Sequence, residues 1–233
     1  MLAVATNTSS RNGLAFDHSR TQSVGDALWN GAQGTRVVFA RDTALFWEGD
    51  EAEFCYKIVS GAVRVCRLLS DGRRQLADFV LPGDLLGFDA SETHSFTAEA
   101  IAETVALRFP RRRLDEIALA NARVGHLLLT GICERLSAAQ DQILLLGRKN
   151  ASEKLASFIL RLAERTGTDG GADEPLDLAM TRTDIADYLG LTIETVSRTF
   201  ASFRRSGMID LPRAQSVVIT DRDALTELAE GDA

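Results

Sequence analysis

Apolar positions repeat at helical spacing in two short segments between residues 181 and 209. They are Ile185, Ala186 and Leu189 in the first segment and Val196, Phe200 and Phe203 in the second. Each set would form one face of an amphipathic helix. Thr181 and Thr192 are the expected N-caps, and Asp184 would complete a variant of the capping box. Gly190 favours a chain reversal between the helices, and Gly207 ends the second one. This pattern is typical of a helix-turn-helix, whose second helix lies in the major groove of DNA.

Polar side chains on the second of these helices have the chemistry of base recognition. Glu194, Ser197 and Arg198 are spaced at i, i+3 and i+4 and therefore share a face. A guanidinium can donate two hydrogen bonds to guanine, a carboxylate can accept one from cytosine, and a hydroxyl can bond a base or a phosphate. The alternative is a solvated ion pair, which the capped helix-turn-helix context disfavours. Residues expected to contact the DNA backbone are Thr181, Thr192, Thr195, Arg204, Arg205 and Arg213.

Short runs rich in β-branched and aromatic residues fill residues 35–109. The runs are VVFA, ALFW, CYKIV, AVRVCRLL, RQLADFVL and ETVALRF, separated by turn signals at Gly49, Gly61, Gly72 and Gly83. The glycines fall 11 or 12 residues apart, a spacing that predicts antiparallel strands wound into a small barrel or jelly roll. We expect this β-roll to occupy residues 29–120, with either a packed core or a ligand pocket inside it.

A long apolar repeat predicts one helix from about Asn121 to Gly147. Its apolar positions, at alternating gaps of three and four residues, are Leu128, Ile132, Leu136, Ala139, Ile143 and Leu146. This seam is typical of a two-stranded coiled coil, so we expect residues 121–147 to be a dimerisation helix that pairs two copies of the chain. The alternative is a helix packed on its own roll, which needs only one apolar face.

Residues 148–233 are expected to form a winged helix-turn-helix domain that begins with a hinge at residues 148–150. Asn150 and Glu153 form a candidate capping box, and the buried face of the next helix would be Leu155, Phe158, Ile159 and Leu162. The acidic segment 168–177 has the composition of a flexible loop. MIDL and VVIT predict a β-hairpin, the wing, and a last helix follows from about Asp221.

The predicted fold class is therefore α+β: an N-terminal antiparallel β-roll, a long dimerisation helix and a C-terminal winged helix-turn-helix. Residues 1–28, rich in Ser, Thr, Asn and Gly, predict a flexible N-terminal arm.

Composition narrows the function classes only slightly. The net charge of −7 argues mildly against nucleic acid, but the segment 193–206 carries three Arg against one Glu, and local charge matters more for a groove-binding module. No apolar run approaches the length of a membrane span, and the N-terminus has no signal-peptide pattern, so we expect a cytoplasmic protein. The three cysteines, Cys55, Cys66 and Cys133, and the three scattered histidines predict no metal site.

The order of these elements resembles the Crp/Fnr family of bacterial transcription regulators, and above all its FixK-like branch. The resemblance rests on FWEGDEAEFCYKIVSGAVRV, SDGRRQLADFVLPGDLLGF, ILLLGRKNASEKLASFI and TRTDIADYLGLTIETVSR, which span most of the chain from about Thr35 onward. It implies a homodimeric, non-enzymatic transcription regulator in which Glu194, Ser197 and Arg198 read a palindrome of the type TTGA-N6-TCAA. It also implies contact with RNA polymerase, for which candidate surfaces are Asp71, Gly72 and Arg73 and the acidic segment 168–177.

Departures from the family pattern bear on how the protein is regulated. Residues 1–34 contain no cysteine, and Ala106 stands where the roll cysteine of oxygen-sensing members would fall, so no iron–sulfur cluster is implied. Phe88 and His94 replace the Glu and Arg that bind cyclic AMP in other members, no haem ligands match, and His94 is expected to be a surface loop residue.

Two further positions suggest that DNA binding needs no signal. Ala139 replaces the acidic residue that opposes pairing in oxygen-sensing relatives, and Thr181 leaves the stretch before the helix-turn-helix without a redox thiol. We therefore expect a dimer that binds DNA without a cofactor or effector. The alternatives are a ligand-gated regulator whose roll binds a nucleotide or another metabolite, and a metal-dependent enzyme of the cupin type, which the scattered histidines disfavour.

Overall fold

The computed structural model describes residues 34–171 and 174–231. The predicted arm of residues 1–28, and the first residues assigned to the roll, lie outside the described residues.

The N-terminal half of the described chain is an antiparallel β-roll. Its strands are β1 (Thr35–Phe39), β2 (Ala44–Phe46), β3 (Phe54–Ser60), β4 (Val63–Leu68), β5 (Arg74–Val80), β6 (Leu85–Leu86), β7 (Thr97–Ala100) and β8 (Thr104–Pro110). They form two four-stranded sheets in the orders β1-β8-β3-β6 and β2-β7-β4-β5. All four predicted turn glycines have positive φ, as expected for tight turns between strands.

Strands β6 and β7 were absent from the sequence prediction. Strand β6 has only two residues, and β7 reads Thr-Ala-Glu-Ala, which has little β-propensity. Each is held by its neighbours, because Leu85 and Leu86 pair with β3, and β7 lies between β2 and β4. Tertiary pairing rather than local preference makes them strands.

Two helices follow the roll, α1 (Arg111–Ala120) and α2 (Ala122–Arg148). The Asn121 side chain between them accepts hydrogen bonds from the backbone N–H groups of Arg123 and Val124 and so caps α2. The long helix thus confirms the prediction from about Asn121 to Gly147, one residue longer at its end. With 27 residues it is about 40 Å long at 1.5 Å per residue.

The C-terminal domain is built from four helices and a small sheet. Its elements are α3 (Ala151–Thr166), β9 (Leu176–Asp177), α4 (Arg182–Leu189), α5 (Ile193–Arg205), β10 (Ile209–Arg213), β11 (Ser216–Ile219) and α6 (Arg222–Glu230). The capping box of Asn150 and Glu153 is present as predicted. Reading all of residues 168–177 as loop was wrong, because Leu176 and Asp177 pair with β11 and make the wing a three-stranded sheet.

The roll and the C-terminal domain share one hydrophobic core. Roll residues such as Leu76, Phe79 and Leu81 belong to the same buried cluster as residues of α3, α4 and α5. Phe79 makes aromatic contacts with Tyr188 and Phe158, at centroid distances of 5.1 and 6.3 Å. The predicted hinge is also hydrogen-bonded to the C-terminal domain, because Lys149 Nζ donates to Ser157 Oγ at 2.8 Å and to the Ala229 carbonyl at 2.7 Å.

Phe79→Ala is expected to lower the free energy of unfolding by about 3–5 kcal/mol, because it opens a cavity in the core shared by both domains. Denaturant unfolding followed by circular dichroism measures the change. Phe88→Ala, at an exposed phenylalanine of the same roll, is the matched control and should change stability little. A loss below about 1 kcal/mol for Phe79→Ala would show that the shared core is not a determinant of stability.

Candidate DNA-binding site

Reciprocal hydrogen bonds fix the start of the first helix of the pair, α4. The Asp184 backbone N–H donates to Thr181 Oγ1 at 3.1 Å, and the Thr181 backbone N–H donates to Asp184 Oδ2 at 3.0 Å. Gly190 ends the helix in the left-handed region at φ 62°. Thr192 then caps α5, because its Oγ1 accepts from the Thr195 backbone N–H at 3.2 Å. The predicted caps and turn are confirmed.

The two faces of α5 differ as the sequence predicted. Val196, Phe200 and Phe203 are buried against the rest of the domain. Glu194, Ser197 and Arg198 are all exposed. A backbone N–H and the Thr192 hydroxyl hold the pKa of Glu194 below its ordinary value, with Arg198 adding to the effect. The face therefore presents a carboxylate acceptor, a hydroxyl and a guanidinium donor to solvent at neutral pH.

The residues predicted to contact the DNA backbone differ in their exposure to solvent. Thr192, Arg204, Arg205 and Arg213 are exposed, and Thr195 is half-buried. Arg204 lies 3.3 Å from Asp210 and Arg213 lies 3.8 Å from Asp177; both pairs are exposed, so solvent and salt screen them.

Thr181, also predicted to contact the DNA backbone, is bonded to Asp184 within the protein. Its hydroxyl donates to Asp184 Oδ2 at 2.7 Å and its backbone N–H donates to the same oxygen. Both donors are therefore used within the protein, and the residue has a capping role.

Arg182 of α4 lies against α5 and the wing turn, and the sequence reasoning did not single it out. Its guanidinium lies 3.3 Å from the centroid of the Phe200 ring, and Nη2 donates to the Ala214 carbonyl in the wing turn at 3.3 Å. Nη1 is buried without a hydrogen-bond partner among the described residues. Burial lowers the pKa of Arg182 to about 10, which leaves the group cationic at neutral pH. A cation in the first turn of a helix opposes the helix dipole, and this was the signal available in the sequence.

The predicted dimer seam on α2 divides into two groups. Ile132, Leu136 and Ile143 are 54, 59 and 69% exposed, and Ala139 is also exposed. Leu128 and Leu146, in contrast, are partly buried against their own chain, Leu128 beside Cys55 and Val124, and Leu146 against the shared core. Leu129 and Leu144 are exposed neighbours that the prediction omitted. The apolar stripe therefore lies mainly between residues 129 and 144.

The turn assigned to polymerase contact is exposed at the tip of the β4–β5 hairpin. Gly72 has φ 82°, and Asp71 accepts hydrogen bonds from the backbone N–H and Nε of Arg73 at 3.0 and 2.8 Å. These bonds lower the pKa of Asp71. The two opposite charges are thus paired with each other at the tip.

His94 is not the surface residue that the sequence suggested, since its side chain is only 2% exposed. Its ring stacks on Phe46 at a centroid distance of 3.6 Å, and its Nδ1 lies 2.8 Å from Asp89 Oδ2. Arg111 donates to the carbonyls of Asp89 and Ser91. The segment that carries His94 is therefore held by its own side chains. The imidazole is buried in the roll with one ring face stacked on Phe46 and one nitrogen beside Asp89.

The three cysteines differ in their exposure to solvent. Cys55 and Cys66 are buried and Cys133 is exposed, all as free thiols, and burial raises the pKa of Cys55 to about 12. Residues 34–171 and 174–231 hold no cluster of three or more His, Cys, Asp or Glu residues arranged to bind a metal. Within the same ranges, no helix combines the length and apolar character that crossing a bilayer requires.

Comparison with known proteins agrees with this geometry. Residues 36–121 match the cyclic nucleotide-binding domain family, and residues 153–228 match the Crp-like helix-turn-helix domain family. The chain is 44% identical to the nitrogen fixation regulation protein FixK of Azorhizobium caulinodans, over 93% of this chain and 86% of that protein. It is 35% identical to the transcriptional activator protein FnrL of Cereibacter sphaeroides, over 81% of this chain and 78% of the other.

A solved structure supports the same assignment. The structure of FixK2 from Bradyrhizobium japonicum superposes with a TM-score of 0.79 at 38% identity, covering 84% of this chain and 96% of that one. With both domains matched in order and identity high over most of the length, the chain belongs to the Crp/Fnr family and is a transcription regulator of its FixK-like branch, not an enzyme.

Proposed function

We propose that this regulator binds DNA as a homodimer, reads a palindrome of the type TTGA-N6-TCAA, and does so without a bound effector. The observation that carries the base reading is the exposed face of α5, where Glu194, Ser197 and Arg198 all point their polar groups to solvent. Arg198 donates to a guanine edge, Glu194 accepts from a cytosine amine, and Ser197 bonds a base or a phosphate. Arg204, Arg205 and Arg213, which are exposed, contact DNA phosphates.

Arg198→Ala is expected to weaken binding to the palindrome by about 1–3 kcal/mol and to relax the preference for guanine, because the bidentate donor is lost. Fluorescence anisotropy with the palindrome and with single-base variants measures both effects. Arg205→Ala, at an exposed arginine assigned to the DNA backbone, is the contrasting variant and is expected to weaken binding to all sequences alike. Undiminished preference for guanine in Arg198→Ala would refute the base-contact assignment.

Dimerisation through α2 follows from its exposed apolar stripe. A monomer rarely leaves so many large aliphatic side chains on one helix in contact with water. Burying them between two copies of α2 removes this surface from solvent, and a two-fold axis along α2 gives the two reading helices the symmetry of a palindrome.

Leu136→Glu is expected to separate the subunits, because it places like charges opposite each other across the two-fold axis. Analytical ultracentrifugation should show a monomer, and affinity for the palindrome should fall with it. Leu119→Glu, at a leucine of α1 that is exposed in the same way, is the matched control and should remain dimeric. A Leu136→Glu protein that is still a dimer would place the interface elsewhere.

Effector independence is supported by the interior of the roll. His94, at the position where the resemblance expects the arginine that binds cyclic AMP, is stacked on Phe46 and paired with Asp89, so its polar Nδ1 already has a partner within the roll. Asp89 is expected to stay ionised in this arrangement, since the hydrogen bonds of His94 and Ser95 outweigh burial and lower its pKa. An anionic phosphate beside it would be repelled.

Protein purified without additives is expected to shift a palindromic duplex in a gel at the same concentration as protein incubated with cyclic nucleotides or iron and sulfide. Binding only after such an addition would contradict effector independence.

The second candidate function, a ligand-gated regulator, is favoured by the match of residues 36–121 to the cyclic nucleotide-binding domain family. A rise in melting temperature with one member of a metabolite panel would support it.

The regulator activates transcription, as the name of FnrL indicates for that relative. The exposed tip at Asp71, Gly72 and Arg73 and the acidic segment 168–177 are the candidate contacts with RNA polymerase. Because its target is chromosomal DNA, we expect it to act in the cytoplasm.

A further inference from the structure

Ionic contacts join the roll to the first helix of the helix-turn-helix. Arg74 of β5 places Nη2 2.9 Å from Asp184 Oδ1 and 2.8 Å from Asp187 Oδ2. Arg64 of β4 places Nη1 3.3 Å from Asp184 Oδ1, and Gln75 Nε2 donates to the Asp187 carbonyl at 3.0 Å. We call these five residues the clasp.

The clasp is partly shielded from solvent, which distinguishes it from ordinary surface ion pairs. The Asp184 side chain is 2% exposed, that of Arg64 14%, and those of Arg74 and Asp187 27% each. Oδ2 of Asp184 accepts from Thr181 and caps α4, while Oδ1 faces the two arginines. One carboxylate therefore stabilises the N-terminal start of α4 and also the position of α4 on the roll.

The position of α4 determines that of α5. The two helices are joined by residues 190–192 only and pack through buried Ile185, Leu189 and Val196. In contrast, the covalent link from the dimerisation helix to the C-terminal domain is Lys149 and Asn150 alone. The angle of the reading helix, α5, relative to α2 thus depends on non-covalent contacts. Among these contacts, the clasp provides ion pairs between the roll and α4.

In a dimer, this angle sets the distance and rotation between two reading helices. Adding one base pair to the spacer moves a half-site by about 3.4 Å and turns it by about 34°. A rigid pair of DNA-binding domains tolerates neither change, whereas domains whose reading helices can shift relative to α2 accommodate both. Preference for bases within a half-site is local to α5 and does not depend on this angle.

We propose that the clasp determines the spacer length that the dimer accepts, with Arg74 and Asp187 as positioning residues for the reading helix. The proposal rests on the dimeric DNA binding proposed above. Asp187 is the better residue to change, because unlike Asp184 it does not cap α4. In Asp187→Ala two other contacts remain: Gln142 Nε2 of α2 donates to the Tyr188 carbonyl at 3.2 Å, and Arg165 donates to Asp84 of the roll at 2.6 Å. They keep the domain on α2 and on the roll.

The test uses the full-length protein and duplexes with two inverted copies of its selected half-site, separated by four to eight base pairs. Wild type is expected to prefer one spacer sharply. In Asp187→Ala the ratio of affinities between that spacer and its neighbours should fall by about fivefold or more, the range of typical coupling between sites. Preference within the half-site and the dimeric state should not change. Glu116→Ala, which breaks the exposed pair with Arg113 on α1, is the matched control and should keep the wild-type ratio.

Arg74→Ala should reduce the spacer ratio at least as far as Asp187→Ala, because it also breaks the contact with Asp184. The double variant should match Arg74→Ala alone, since the Asp187 carboxylate acts through Arg74. Circular dichroism melting confirms that each variant is folded. An unchanged spacer ratio in both variants, or an equal loss of affinity at every spacer, overturns the proposal. If wild type selects half-sites other than TTGA, the proposed palindrome fails while the spacer test still applies to the selected sequence; a wild type indifferent to spacer length contradicts both.

Discussion

The carboxylate of Asp184 is the interaction on which the arrangement of the two domains depends most. A charge taken out of water costs several kcal/mol unless it is paired and hydrogen-bonded. Here each oxygen has its own partners, Thr181 on one side and Arg64 and Arg74 on the other. Removing the arginines would leave a buried charge on the cap of the first helix of the pair. The start of α4 and its contact with the roll are therefore stabilised together.

The shared hydrophobic core also holds the roll and the C-terminal domain in a fixed arrangement. Phe79, from the roll, lies against Phe158 and Tyr188 of the C-terminal domain, so the two domains cannot separate without exposing aromatic surface. The predicted hinge contributes little freedom, since Lys149 is bonded to Ser157 and to the end of α6. Contacts within the chain therefore position the DNA-binding domain on the roll. This agrees with the proposal that no effector is needed to order the DNA-binding domain.

The sequence predicted the features that depend on a few neighbouring residues, such as helix ends and the buried faces of helices. Caps at Thr181, Thr192 and Asn150, glycine ends, and apolar periodicity located the helices to within one or two residues, because these signals act over three or four positions. Strands β6, β7 and β9 were missed since each is short and exists through pairing with a distant strand. His94 was misjudged because its burial depends on Phe46 and Asp89, which no periodicity brings together. Among the seam residues, Leu128 and Leu146 were assigned by spacing alone, and the structure shows that neighbours on their own chain compete for them. The clasp joins residues more than 100 positions apart, so nothing in the local pattern indicated it.

The central claim is that two capped helix pairs present Glu194, Ser197 and Arg198 to successive major grooves of DNA. It can be tested by selecting bound sequences from random double-stranded DNA with protein purified without additives. We expect enrichment of two inverted TTGA half-sites around a spacer of six base pairs. Enrichment of a single half-site, of an unrelated motif, or of nothing in the absence of an added ligand would contradict it.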